Sequence, residues 1–204
     1  MIKAVLFDYG GVVKVGHPLS MDLARICNIS EEEVVQTKEK RKLFGDQATK
    51  GFISDEQFWQ GFQKILGKPI PNNCVELAQN SYRKTFEFIP EALKLVEELK
   101  KQGIKTAILS NIFKFEAEVI REHNGYDGFD PVILSYEVSM MKPELDIYRL
   151  AIEKLKIKPE ECIFIDDKEK NLFPAKNLGI KTVLAENPTQ ITKDIFSIIN
   201  SQTS

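Results

Sequence analysis

Five short, largely apolar runs constrain this chain more than any other feature: Ala4-Val5-Leu6-Phe7, Thr106-Ala107-Ile108-Leu109, Val132-Ile133-Leu134, Ile163-Phe164-Ile165 and Thr182-Val183-Leu184. Runs this short, without polar alternation, read as strands covered on both faces. Helical patterns separate the last four. From Glu91 to Gln102, Leu93, Val96 and Leu99 share one side and Gly103 is the stop. A second helix runs to about Glu122, a third is opened by Pro143 and a fourth stops at Gly179. Strands joined through helices run parallel, because each crossover returns the chain to the edge it left.

The first strand stands far from the others in sequence. Between the loop Val15-Gly16-His17-Pro18 and about Lys84 there is no strand-like alternation. Helix starts are marked instead, by Ser30 before Glu31-Glu32-Glu33 and by Ser54 before Asp55-Glu56. Gly45, Gly51, Gly67 and the stretch Pro69-Ile70-Pro71-Asn72-Asn73 divide the region into about four helices. Phe52, Phe58, Trp59 and Phe62 are expected to form their core. The expected fold is therefore α/β: a Rossmann-like parallel sheet core from residues 1–13 and 86–204, with a four-helix-bundle-like unit of residues 14–85 inserted after strand one.

The 204 residues are enough for a large core, and a formal net charge of −2 gives no electrostatic reason to expect nucleic acid or an anionic membrane as partner. No apolar run approaches the ~18 residues of a membrane span. The sequence enters its first strand at once, which leaves no room for a signal peptide. Cys27, Cys74 and Cys162 are odd in number and widely spaced, as in a cytoplasmic protein with reduced thiols. Cys162 opens an apolar run and reads as core.

Polar residues sit at the carboxyl ends of the strands or in the loops beyond them. Asp8 ends the first and is followed by Tyr9-Gly10-Gly11-Val12; Ser110-Asn111 ends the second; Lys142-Pro143 lies in the loop after the third; Asp166-Asp167 ends the fourth. Each has a local explanation: a turn aspartate, a helix cap, a surface lysine, an acidic pair at a helix start. In a parallel sheet, however, these ends face one crevice. Carboxylates suit a hard divalent cation such as Mg²⁺. A hydroxyl, an amide and an ammonium suit phosphoryl oxygens. A carboxylate beside such a group, its repulsion neutralised by metal and lysine, can act as a nucleophile.

The motifs Leu6-Phe7-Asp8-Tyr9-Gly10-Gly11-Val12, Leu109-Ser110-Asn111, Lys142-Pro143 and Phe164-Ile165-Asp166-Asp167-x-x-x-Asn171 resemble, in order and spacing, the four signatures of the haloacid dehalogenase-like hydrolases. The branch with a helical cap after strand one, near sugar-phosphate phosphatases and epoxide hydrolase N-terminal domains, is the most similar. The resemblance implies that Asp8 attacks phosphorus, and that Asp8, the Gly10 carbonyl, Asp166 and Asp167 serve the metal, with Asp167 the better direct ligand. It further implies that Ser110 and the backbone or side chain of Asn111 hold the phosphoryl oxygens, that Lys142 balances charge, and that Asn171 orients Asp166 or a metal-bound water. His17 and His123 match no motif.

One position departs from the pattern. Most phosphatases of this superfamily carry a second Asp two residues after the nucleophile, and here that residue is Gly10. The implied activity is a Mg²⁺-dependent phosphatase of small phosphorylated metabolites such as sugar phosphates, working as a monomer or a homodimer. A metal-independent 2-haloacid dehalogenase and a binding protein of weak catalysis on the same fold stand as alternatives. Specificity is expected from the inserted helices near Arg41, Gln47 and Lys50, with residues 14–17 as a flap.

Overall fold

The computed structural model describes residues 1–201. Five parallel strands form one sheet: β1 (Ala4–Phe7), β2 (Lys105–Ser110), β3 (Val132–Leu134), β4 (Cys162–Asp166) and β5 (Lys181–Leu184), in the order β3-β2-β1-β4-β5. β1 lies at the centre, with Phe7 in register with Ile108 of β2 and Ile165 of β4. That register brings the carboxyl ends of β1, β2 and β4 side by side and orders everything that follows.

Alternation along β1 divides the core. Val5 and Phe7 join one apolar cluster with Leu95, Val96 and Leu99 of α6 (Pro90–Lys101), Val119 and Ile120 of α7 (Lys114–Glu122), and Ile191 and Ile195 of α11 (Pro188–Asn200). Ala4 and Leu6 face the other way, against Ile147, Tyr148 and Leu155 of α9 (Leu145–Leu155) and Leu172 and Ala175 of α10 (Glu169–Asn177). Both faces are dry, which is why these strands carry no polar alternation. Each fully buried Leu, Ile or Phe side chain contributes about 1.5–3 kcal/mol.

The inserted region folds into five helices rather than about four: α1 (Leu19–Cys27), α2 (Glu31–Gln36), α3 (Lys38–Thr49), α4 (Asp55–Leu66) and α5 (Cys74–Lys84). Ser30 and Ser54 each make the reciprocal capping box that their sequences announce. Gly45 does not break a helix; it lies inside α3, on the side facing Phe58 of α4. Gly61 of α4 in turn receives the ring of Phe44, and a Cβ there would come within 2.7 Å of it. The two glycines let α3 and α4 cross closely, so their role is packing. Phe58, Trp59 and Phe62 are buried in the helices' own core, but Phe52 is 61% exposed. That core also takes in Phe113 and Phe115, which belong to the loop after β2 and the start of α7.

Two linkers connect the helices to the sheet, and they pair. Val15 N–H donates to Glu87 O, Ile89 N–H donates to Val13 O, and Lys14 bridges Phe88 antiparallel. His17 ties this ribbon to α1: its Nε2 lies 2.7 Å from Asp22 Oδ2 and its Nδ1 2.8 Å from Thr85 Oγ1. Two helices lie outside the sequence reading. They are α8 (Ser135–Val138), a single turn, and α11; the helix expected to open at Pro143 is α9, which begins at Leu145, two residues further on. α11 is rich in β-branched residues, yet Asn187 caps it by accepting from Gln190 N–H, and Pro188 opens it. All three cysteines are free and buried, and burial pushes the Cys162 thiol up to about 12. No helix among the described residues is long and apolar enough to cross a membrane.

Candidate active site

Asp8, at the end of the central strand, meets Lys142 across the crevice. The ammonium lies 2.8 Å from Asp8 Oδ1 and 2.6 Å from Asp166 Oδ2, and all three side chains are essentially buried. Lys142 is held there through its backbone. Its N–H donates to Asn111 Oδ1 at 2.8 Å, and its carbonyl accepts from Asn111 Nδ2 at 2.7 Å. The side chain of Asn111 is thus committed to the loop after β3. Ser110 is buried beside it at the end of β2.

Asp166 has little left to offer a ligand. Its Oδ1 accepts from Lys168 N–H and its Oδ2 from Lys142, while Asn171 Nδ2 reaches both oxygens at 2.9 and 3.0 Å. Asp167 is the opposite case: it is exposed, and its Oδ1 lies 3.4 Å from the Lys168 ammonium. Asp8 Oδ2 accepts no hydrogen bond among the described residues, whereas Oδ1 also takes the Tyr9 N–H. Burial holds the Asp8 carboxyl above its ordinary range, with Lys142 opposing the shift and Asp166 adding to it.

Would a divalent cation fit? One carboxylate oxygen from each of Asp8, Asp166 and Asp167 falls within a span of 4.8 Å. Three carboxylates stand against two ammonium groups, buried Lys142 and the more exposed Lys168, so one negative charge is left in excess that a hard cation would offset. Asn171 Oδ1 is buried without a partner among the described residues, an acceptor suited to a metal-bound water. The residues fit Mg²⁺, with the carboxylates of Asp8 and Asp167 as the available donors. Gly11 makes the approach possible: its φ is +82°, and a Cβ there would sit 3.2 Å from Asp167 Oδ2.

The sequence motifs therefore converge: Asp8, Ser110, Asn111, Lys142, Asp166 and Asp167 line one sheet edge. The expected specificity positions are more scattered. Lys50 ion-pairs with Glu144 at the start of α9, and Gly51 rests on the Tyr136 carbonyl, so this loop touches the sheet unit. Gln47 accepts the Phe52 N–H through its carbonyl, and Arg41 keeps a buried Nε without a partner. Lys14 turns from the crevice; its ammonium donates to Val15 O and lies 4.3 Å from the centre of the Tyr82 ring. His123 stacks on Phe86 and bonds Val119 O.

Two carboxylates, buried Asp55 and half-buried Glu116, escaped the sequence reading. Asp55 Oδ2 accepts the Phe115 N–H at 2.8 Å, and Glu116 Oε2 accepts the Phe113 N–H at 3.1 Å. Burial pushes Asp55 up to about 6 and Glu116 up to about 7, with the backbone bond working against the shift in each case. The one signal for Asp55 was a helix-start acid, which has a local reason to exist at any N-terminus.

Comparison with known proteins places the chain. It is 28% identical over 193 residues to the sesquiterpene phosphatase astK of Aspergillus oryzae, covering 87% of each. It is 25% identical over 209 residues to acyl-CoA dehydrogenase family member 10 of Mus musculus, covering 97% of this chain but only 19% of that protein. The chain thus spans about a fifth of the length of that relative. Among solved structures, a HAD family enzyme of Bacteroides thetaiotaomicron in a magnesium complex superposes with a TM-score of 0.73 at 25% identity, covering 90% of this chain and 92% of that one. The model of the haloacid dehalogenase-like hydrolase family matches residues 2–179, so the chain belongs to that family.

Proposed function

We propose that this protein is a Mg²⁺-dependent phosphatase of small phosphorylated metabolites, sugar phosphates among them, working through an aspartyl-phosphate on Asp8. The observation that carries the reading is the single buried ammonium of Lys142 shared by Asp8 and Asp166 at the edge where Asp167 also stands. Mg²⁺, when bound by Asp8, the Gly10 carbonyl and Asp167, supplies positive charge to the phosphoryl oxygens and to the Asp8 carboxylate.

The Asp8 carboxylate forms an O–P bond as the bond from phosphorus to the leaving oxygen breaks. Lys142 holds Asp8 in its ionised, attacking form and offsets charge on the phosphoryl group. Ser110 Oγ and the backbone N–H of Asn111 are the donors left to hold phosphoryl oxygens, because the Asn111 side chain is spent on Lys142. Asp166, fixed by Asn171 and Lys168 N–H, acts through Lys142 as a positioning residue. Water then opens the acyl phosphate and returns Asp8. The α1–α5 unit serves as a cap that covers the crevice and excludes bulk water.

The test is turnover of p-nitrophenyl phosphate by the purified protein, with Mg²⁺ and with EDTA. Hydrolysis that needs Mg²⁺ and disappears in Asp8→Asn supports the phosphatase. Halide release from 2-haloacids in EDTA would replace it with a dehalogenase, and no turnover of either would leave a binding protein.

A further inference from the structure

Helix α7 begins where the phosphoryl-binding loop ends, and its own sequence does not cap it. The N-cap residue is Phe113, whose side chain has no acceptor. An N-cap side chain ordinarily takes the N–H of the second or third helical residue. Here the second residue is Phe115, and its N–H is taken by Asp55, the first residue of α4, sixty positions earlier in the chain. Glu116 supplies the reciprocal bond, back to Phe113 N–H. The capping box is thus assembled from two units of the fold.

The other hydrogen bonds of the short loop from Asn111 to Phe113 stay within the sheet unit, while the Phe113 ring packs on Phe58 of α4, centroids 5.1 Å apart. Asn111 clamps the Lys142 backbone, Ile112 N–H donates to Ser135 Oγ at 3.0 Å, and Phe113 N–H goes to Glu116. Among these hydrogen-bond partners, Asp55 alone comes from the inserted helices. It is also buried, whereas the Arg83–Glu122 and Lys50–Glu144 pairs that join the same two units are reached by solvent.

We propose that Asp55 is a positioning residue for phosphoryl binding: docking of the α1–α5 unit delivers its carboxylate to α7, and only then is the loop after Ser110 fully formed. The proposal rests on the phosphatase reading and extends it. Substrate that binds the completed loop favours the docked arrangement, and the docked arrangement completes the loop. Cap closure and phosphoryl recognition are then one equilibrium. Undocked, the Phe115 N–H must find water, and the fraction of molecules competent to bind falls.

The experiment compares wild type, Asp55→Ala and Asp55→Asn in steady-state hydrolysis of p-nitrophenyl phosphate with Mg²⁺. Asp55→Ala is expected to raise KM about tenfold while kcat stays within about twofold, because saturating substrate restores the docked population. Asp55→Asn keeps an amide oxygen for the Phe115 N–H and is expected to hold KM within about threefold of wild type. A fall in kcat at unchanged KM, or equal impairment of the two variants, overturns the proposal. A second readout does not depend on turnover: limited proteolysis of the linkers, residues 14–18 and 84–89, with and without inorganic phosphate and Mg²⁺. Faster cleavage in Asp55→Ala than in Asp55→Asn is expected, and equal rates overturn the inference. Should wild type fail to turn over the ester, the phosphatase reading falls, and the proteolysis alone decides whether Asp55 holds the cap.

Discussion

Replacing Lys142 by Met tests the electrostatic centre of the site. Wild type sets two buried carboxylates against one ammonium at 2.8 and 2.6 Å, and the variant leaves them unpaired. Breaking a buried ion pair in this way costs about 3–5 kcal/mol. There is a ceiling, because Asp8 can take up a proton instead: at pH 7 that costs about 1.36 kcal/mol for each unit between 7 and the ordinary carboxylate value near 3.9, or roughly 4 kcal/mol. A carboxyl raised in the folded state contributes a loss of stability that is absent below its unfolded value, grows as pH rises from there, and is complete above its folded value. Asp8 is already raised in wild type, so some slope exists there; the variant steepens it. Urea unfolding of both proteins at pH 5, 6 and 7 should show a deficit of about 3–4 kcal/mol at pH 7 that shrinks toward pH 5. A deficit below about 1 kcal/mol at pH 7, or one that does not change with pH, would refute the reasoning. Turnover of p-nitrophenyl phosphate should fall about 10²–10³-fold at every pH.

Asp8→Asn should abolish turnover, by about 10⁴-fold or more, while leaving the urea midpoint at or above that of wild type, since one of the two carboxylates on Lys142 has become neutral. Gly11→Ala should cost about 1–2 kcal/mol, because φ is +82° and the new Cβ presses on Asp167; the Mg²⁺ concentration for half-maximal activity should rise with it, read by metal titration. For Asp55 the folded value of about 6 lies above the ordinary 3.8, so its burial costs stability as pH climbs through that interval; Asp55→Asn should flatten the difference in unfolding free energy between pH 4.5 and 7.5 by about 2 kcal/mol.

What the sequence disclosed was whatever is carried by neighbours in the chain. β1, β2 and β4 announce themselves because four or five residues fully buried on both faces leave an uninterrupted apolar run. Parallel order then follows from the helices between them, and with it the convergence of Asp8, Ser110, Lys142 and Asp166. Partnerships over long sequence separations were illegible. Nothing near Asp55 says that Phe113 will leave α7 uncapped, and nothing near His17 names Thr85 as its partner. Gly45 misread for a related reason: glycine weakens a helix by itself, and only the neighbouring helix, with Phe58 facing Gly45, shows what the missing Cβ admits. α11 was hidden by its isoleucines and threonines, whose preference for strands yields here to burial of Ile191 and Ile195. Its cap, Asn187-Pro188, was in plain view.

The glycines that follow Asp8 have different reasons to be glycine, and the difference yields a test of the chemistry. Gly11 is dictated by backbone: a positive φ and Asp167 against its Cα. Gly10 is not, for a Cβ there meets nothing within 4 Å and φ lies outside the left-handed range. The backbone there admits a Cβ, so nothing in the fold at that atom requires glycine. General acid–base help at that position would be worth about 10²–10⁴ in rate when the leaving oxygen is a poor one. It would be worth little when that oxygen departs readily without a proton, as nitrophenolate does and as an anomeric oxygen does in part. Gly10→Asp should therefore speed hydrolysis of a simple alkyl phosphate by at least about tenfold and leave p-nitrophenyl phosphate within about threefold. The cost is a further carboxylate beside Asp8, Asp166 and Asp167, which should appear as a lower urea midpoint without Mg²⁺ that the ion restores. Equal acceleration of both esters, or of neither, would mean that proton transfer to the leaving group does not separate these substrates and that Gly10 has another explanation.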